Sequence, residues 1–305
     1  MAGQDWYKTK INLQRLQDLV SQGFMTAAEL ASSRVPVALD APEPSEAEGY
    51  VVAFEAFYER GFGMPAHPFL GRLLHHYRLE LHHLTPSGIL FVASFVTLCE
   101  AYMGIEPHFD LWNYFFRLRR PQSGSPPLAV SGGAVFYVKT GGGTIPYFDL
   151  PMPTSMKGWR SRWFFVKNEG EDPLPAFTGR PPVPFHNWGY GVAARDRKKL
   201  DDLLPVIQQL REQGLTGVHL LRTFFSRRIQ PLRVRHHRMS LYRGPSDPDR
   251  SFSEEPSEGQ VDQWVRQAIE RNVDPRPGAG PEPLRHGVPN PWVSVYGTLP
   301  DSSSP

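Results

Sequence analysis

Apolar positions along the chain recur mostly at helical spacing. Leu13, Leu16 and Val20 share one face, and Gly23 is a natural stop. Thr26 and Glu29 form a capping-box pattern that opens a second short helix. A helix-turn-helix reading of this pair fails on charge, because no Arg or Lys precedes Arg34 on the second helix. After a Pro-rich acidic connector (35–49), Ser45 and Glu48 repeat the capping pattern. They open a segment with Val51, Phe54, Phe57 and Tyr58 inward, closed by Gly61. Pro68 suits the first position of a helix carrying Phe69, Leu70, Leu73, Leu74 and Tyr77. Thr85 and Pro86 start another, apolar nearly all round from Ile89 to Cys99, which predicts a buried central helix ending at Gly104. An aromatic helix through Leu111, Tyr114, Phe115 and Leu118 is expected next, finishing in Arg117, Arg119 and Arg120, where positive charge suits a helix C-terminus.

The period then changes. Ala134–Val138, Tyr147–Leu150 and Trp163–Val166 are short β-branched or aromatic runs between Gly and Pro turns, and predict a small antiparallel sheet. Residues 168–194 read as an irregular crossing loop. Leu200, Leu203, Leu204, Ile207 and Leu210 restore helical spacing, with Pro205 expected to kink or split the helix. Thr216 caps a last core helix with Val218, Leu221, Phe224 and Phe225. The fold class expected is α+β: a mostly helical core, a small antiparallel sheet and a flexible Pro-rich C-terminal tail. The division expected is an N-terminal helical segment (1–34), a core domain (35–243) and a largely disordered tail (244–305). One island interrupts the tail. Ser257 and Gln260 pair as a cap, and Val261, Trp264, Val265 and Ala268 line one face of a short helix near 258–271, docked on the core or offered to a partner.

Composition sharpens this outline. The 31 prolines among 305 residues are about twice average usage, and the tail is rich in both Pro and Gly. Lys+Arg 33 against Asp+Glu 31 leaves a net charge of +2, so the chain is no polycation. The basic residues are mostly arginine, which fits either phosphate recognition or GC-rich coding. One cysteine, Cys99, removes an internal disulfide framework and Cys-based zinc sites. The first residues show no secretory pattern, and the most apolar run is shorter than a membrane span. An intracellular protein is therefore expected, nuclear or cytoplasmic; the basic run Arg195–Lys199 fits either nuclear import or a solvated helix start.

Catalytic patterns are weak. Gly141–Gly143 follows Lys139-Thr140 instead of preceding a Gly-Lys-Ser/Thr, so a hairpin turn is the better reading than a phosphate loop. His75-His76, His82-His83, His67 and His108 lack a metal-binding spacing, and structural or capping roles are expected. Cys99 belongs to the most apolar helix, where an inert thiol is expected. No Gly-x-Ser-x-Gly elbow occurs. The densest signal is Arg222–Arg243, with seven arginines, no acid and interleaved Phe224, Phe225 and Tyr242. Arginine forks match phosphate and aromatics stack on bases, so Arg222, Arg227, Arg228, Arg233, Arg235 and Arg238 are the candidate nucleic-acid contacts. The competing reading pairs this basic face with Asp247, Asp249, Glu254, Glu255 and Glu258, or uses it to hold the core together. Trp264 and Val265 are the candidate partner contacts.

Glu59-Arg-Gly-Phe-Gly-Met-Pro65, His82-His-Leu-Thr-Pro86, Phe95-Val-Thr-Leu-Cys-Glu100 and Gly104-Ile-Glu-Pro-His108 occur in that order. Ser155-Met-Lys-Gly-Trp159, Trp163-Phe-Phe165, Gly214-Leu-Thr-Gly217 and Arg227-Arg-Ile-Gln-Pro-Leu232 continue the series. Together they resemble the plant gypsy-type transposon (gypsy-type transposase) domain of retroelement-derived reading frames, over roughly residues 10–245. Trp163-Phe-Phe165 departs from the family pattern, which often has tyrosine third. The resemblance carries over no catalytic residue. The chain also lacks the Tyr-x-Asp-Asp turn of a reverse transcriptase, the Asp-Thr/Ser-Gly of a retroviral-type protease and the zinc module of an integrase. The expectation is a non-catalytic structural or nucleic-acid-binding accessory protein of a retrotransposon, contacting DNA or RNA through the Arg-rich segment. The alternatives are a protein-interaction or self-association module and, less favoured, a divergent transposase. No cofactor, metal, membrane or small-molecule substrate is expected.

Overall fold

The structure, a computed structural model, describes residues 6–36, 41–121, 129–139, 145–150, 157–189, 192 and 197–269. Its centre is helix α5 (Pro86–Thr97), almost wholly buried and continued by a π-helical turn over Leu98–Tyr102. Thr85 caps it by accepting the Gly88 N–H at 3.1 Å, and Pro86 fills the first helical position, where no N–H is needed. Helix α4 (Pro68–Tyr77) opens the same way, except that its cap is the imidazole of His67, which accepts from Phe69 N–H. Phe69, Phe95, Trp112 and Phe116 meet between α4, α5 and α6 (Phe109–Phe115), and the Trp112 and Phe116 rings stack at 4.1 Å.

Helices α1 (Leu13–Ser21) and α2 (Ala27–Ala31) form as the spacing predicts, with the Thr26–Glu29 capping box in place. Two segments differ. Tyr50–Phe54 is strand β2, and only Glu55–Tyr58 (α3) is helical. The aromatic helix α6 stops at Phe115, and Phe116–Arg119 is strand β3. Both depart from their local apolar spacing because a partner strand satisfies their backbone groups. Strand β2 lies antiparallel to β5 (Trp163–Lys167), which also pairs with β1 (Ser33–Arg34), giving the order β1-β5-β2. Strand β3 pairs antiparallel with β4 (Val135–Val138) in a separate two-stranded sheet. Tyr147–Leu150 joins neither sheet. Its Tyr147 ring packs on Phe115 and Phe116, and its hydroxyl meets Ser94 Oγ at 3.0 Å.

Leu200 lies in a separate 3₁₀ turn (Lys198–Leu200), and helix α7 (Leu203–Glu212) starts after it with Pro205 in its first turn, where proline is tolerated. Thr216 caps α8 (Gly217–Arg227) through a capping box with His219, and α8 packs on α5. The Pro/Gly-rich segment stays on the core as far as Ile269. Ser257 and Gln260 exchange the bonds their spacing predicts, and helix α9 (Glu258–Ile269) packs along α8. Arg60 fastens it, donating from a buried guanidinium to the Gln267 carbonyl at 3.1 Å. The rest of the predicted tail (270–305), the Gly141–Gly143 turn, the first two residues of the basic run at 195–199 and residues 151–156 lie outside the described residues.

Candidate nucleic-acid interface

The Arg-rich segment begins inside α8 and leaves it at Arg228, whose left-handed backbone (φ +56°) turns the chain back over the core. Residues 232–234 then run along the loop that carries the Glu59–Pro65 motif. Leu232 N–H donates to Gly61 O at 2.9 Å, His67 N–H to Leu232 O at 2.8 Å, and Val234 N–H to Pro65 O at 2.8 Å. Gly61 permits this approach: it sits at φ +90°, and a Cβ there would stand 2.9 Å from the Pro231 ring.

This path aims the segment at Glu100, the single acid within the apolar helical run, which sits in the π-helical turn with 2% exposure. A carboxylate so deeply buried must be matched by donors. Glu100 receives His67 Nε2 at 3.0 Å, the Met239 N–H at 3.1 Å, and the Arg235 guanidinium. Burial by itself would raise this carboxyl; the bonds from His67, Arg235 and Met239 outweigh it and hold Glu100 below the usual carboxylate range. His67 is held neutral in the opposite way, with burial pushing its pKa down against the pull of Glu100.

The six candidate arginines all make contacts within the chain. Arg222 pairs with Asp262 of α9. Arg227 donates to Met239 O at 3.0 Å and lies over the Tyr242 ring. Arg228 stacks on Trp264. Arg233 lies close to the Glu29 carboxylate, which is itself bonded to Thr26 and to the Met64 N–H. Arg235 bonds Glu100 and the Gln230 carbonyl. Arg238 reaches Glu106 Oε1 at 2.8 Å and Gly104 O at 2.9 Å but keeps 44% of its side chain exposed. The seventh arginine of the run, Arg243, is also exposed. Trp264 and Val265 face their own core, where Trp264 meets Phe24 edge-on.

Where the segment crosses Glu100 it forms one wall of an open cleft of about 660 Å³. Arg235, His236, His237 and Arg238 line it, together with His67, Glu100 and Glu106. Three of the histidines singled out from sequence take structural positions: His67 and His108 cap helices, and His83 accepts the Glu80 N–H while bonding Arg180 O. Cys99 is fully buried and its thiol is pushed up by that burial. Glu100 carried no role of its own in the sequence reading, although a lone acid in an apolar helical run demands partners.

Residues 51–120 match the family described as "Putative gypsy type transposon", so the chain carries a gypsy-type transposon domain. That span contains the first four motifs; the later four lie beyond it. No curated protein and no solved structure matches the chain.

Proposed function

Starting from a gypsy-type transposon domain over residues 51–120, we propose that this chain is a non-catalytic accessory protein of a retrotransposon that touches nucleic-acid phosphates at the rim of the Arg235–Arg238 cleft. The observation that carries this reading is the basic wall of the cleft, where the His236 side chain is 73% exposed and Arg238 is 44% exposed. Arg222, Arg227, Arg228 and Arg235 hold the core together, and Arg233 faces the Glu29 carboxylate. The contact therefore shrinks from six arginines to Arg238, with Arg243 beyond the short turn Met239–Leu241. A guanidinium buried against its own chain contributes little to phosphate binding, whereas Arg238 also bonds Glu106 and Gly104 but keeps 44% of its side chain exposed. The non-catalytic reading is supported by the inert environment of Cys99 and by the structural bonding of the central histidines. The protein-interaction alternative loses its named contacts, since Trp264 and Val265 are covered by their own chain.

The experiment is a titration of fluorescently labelled single- and double-stranded oligonucleotides at several salt concentrations. Wild-type protein should bind at low salt with a salt slope set by a few phosphate contacts. Absence of binding at low salt would refute the reading.

A further inference from the structure

Beyond the nucleic-acid reading, the structure holds a cluster of possible metal ligands built on His237, a residue of the cleft wall. His237, Asp247 and Asp249 converge there, and their ligand atoms all lie within 4.8 Å of one another. The two carboxylates are almost completely buried. His237 Nε2 stands 3.1 Å from Asp247 Oδ2 and 3.6 Å from Asp249 Oδ2.

Hydrogen bonding fixes how these groups face one another. His237 Nδ1 lies 2.9 Å from the Arg238 carbonyl, which can only accept, so Nδ1 carries the proton. In the neutral ring Nε2 then presents a lone pair towards two anionic oxygens. The side chain is only 8% exposed, and Nε2 makes no hydrogen bond, so neither oxygen lies where a proton on Nε2 would point. Three electron-rich atoms converging in a buried space need a positive charge between them. The spacings of 3.1 and 3.6 Å bracket the edge of about 3.3 Å expected between ligands of a tetrahedral ion with bonds of about 2.0–2.1 Å.

The surrounding bonds are those that orient metal ligands. A ligating histidine commonly donates its other ring N–H to a backbone carbonyl, as His237 does here. Asp249 is steadied by His236, whose backbone N–H donates to Oδ1 at 3.0 Å and whose ring Nδ1 lies 2.7 Å from the same oxygen. Asp247 accepts the Asp249 N–H at 2.9 Å and the Arg243 N–H at 2.8 Å. A second cluster, Glu80, His82 and His83, offers a contrast. Both ring nitrogens of His83 are occupied by the Glu80 N–H and Arg180 O, and both Glu80 oxygens are bonded by Thr178. The difference lies in the histidines: neither ring nitrogen of His83 is free for a ligand, whereas Nε2 of His237 makes no hydrogen bond.

We propose that His237 Nε2, Asp247 and Asp249 bind one divalent transition-metal cation of the zinc type. One imidazole nitrogen and two carboxylates suit such a borderline ion, with water completing the coordination. The cation clasps the 236–249 loop.

The test is zinc binding by the full chain after stripping with a chelator, measured by competition with a chromophoric zinc indicator. One zinc ion per chain is expected. His237→Ala and Asp249→Asn should each weaken it at least tenfold, while the double variant His75→Ala/His76→Ala, in an exposed pair, should bind as wild type. A wild-type protein that takes up no zinc overturns the proposal, and so does a folded His237→Ala variant that binds zinc undiminished. Should the variants fail to fold, X-ray absorption at the zinc edge of the wild-type protein decides. A first shell with one imidazole and oxygen ligands supports the site, whereas two or more imidazoles, or sulfur, overturn it.

Discussion

The guanidinium carbon of Arg228 stands 3.5 Å from the centre of the Trp264 ring. This contact joins the Arg-rich segment to the helix of the Pro/Gly-rich tail, two features that in the sequence look like separate binding elements. Phe24 meets the same indole edge-on at 5.6 Å and lies 5.4 Å from the Arg228 guanidinium, so α9 is part of the core. Trp264→Ala should cost about 3–5 kcal/mol, read from urea unfolding of the full chain, since it removes a buried indole and strands a buried cation. A change below 1 kcal/mol would mean that α9 does not dock.

Arg228 also pays a backbone cost for its position at φ +56°. Arg228→Gly and Arg228→Ala both lose the stack, but only glycine relieves the left-handed conformation. The glycine variant should be the more stable of the two by about 1 kcal/mol. Equal midpoints would show that the turn adopts another conformation in solution.

Glu100 balances His67 and Arg235 in a space nearly closed to water. Glu100→Ala leaves the Arg235 cation buried without its partner, and a loss of about 3–5 kcal/mol is expected. The double variant Glu100→Leu/Arg235→Met removes both charges and should recover much of that loss. A double variant no more stable than Glu100→Ala would mean that the loss lies in packing, not in charge.

His83 sets an acid limit. Burial lowers its pKa from 6.5 to about 4, and its Nδ1 accepts the Glu80 N–H, a bond that the charged ring cannot make. The folded pKa lies below the unfolded one. The stability that this group contributes is therefore complete above pH 6.5 and is lost as pH falls through about 4. The melting temperature should drop across that window, and His83→Gln should flatten the part of the drop due to this ring. An identical pH profile in the variant would assign the acid sensitivity elsewhere.

At the cleft, Arg238→Ala with Arg243→Ala should lower the slope of log binding constant against log salt by about 2 without changing the melting temperature. Arg222→Ala and Arg235→Ala should do the reverse, lowering stability and leaving the slope of the folded fraction alone. An unchanged slope in the first variant would place any phosphate contact outside this rim.

The sequence by itself determined the helix starts at Thr26, Thr85, Thr216 and Ser257 and much of the core. The caps at Thr26, Thr85, Thr216 and Ser257 are bonds between residues three apart, and the apolar run Ile89–Cys99 leaves only a buried helix open to it. The family resemblance was legible for the same reason, since its motifs are contiguous, and residues 51–120 match. Tertiary structure decided what local spacing could not. Tyr50–Phe54 and Phe116–Arg119 became strands because Trp163–Lys167 and Val135–Val138 came alongside. The seven arginines could be counted in the sequence, but their partners could not. Glu100, Asp262 and Trp264 lie far away along the chain, and only the fold brings these carboxylates and this ring against the guanidiniums. A charge run records how many cations a segment carries; long-range packing decides how many of them are left for a ligand.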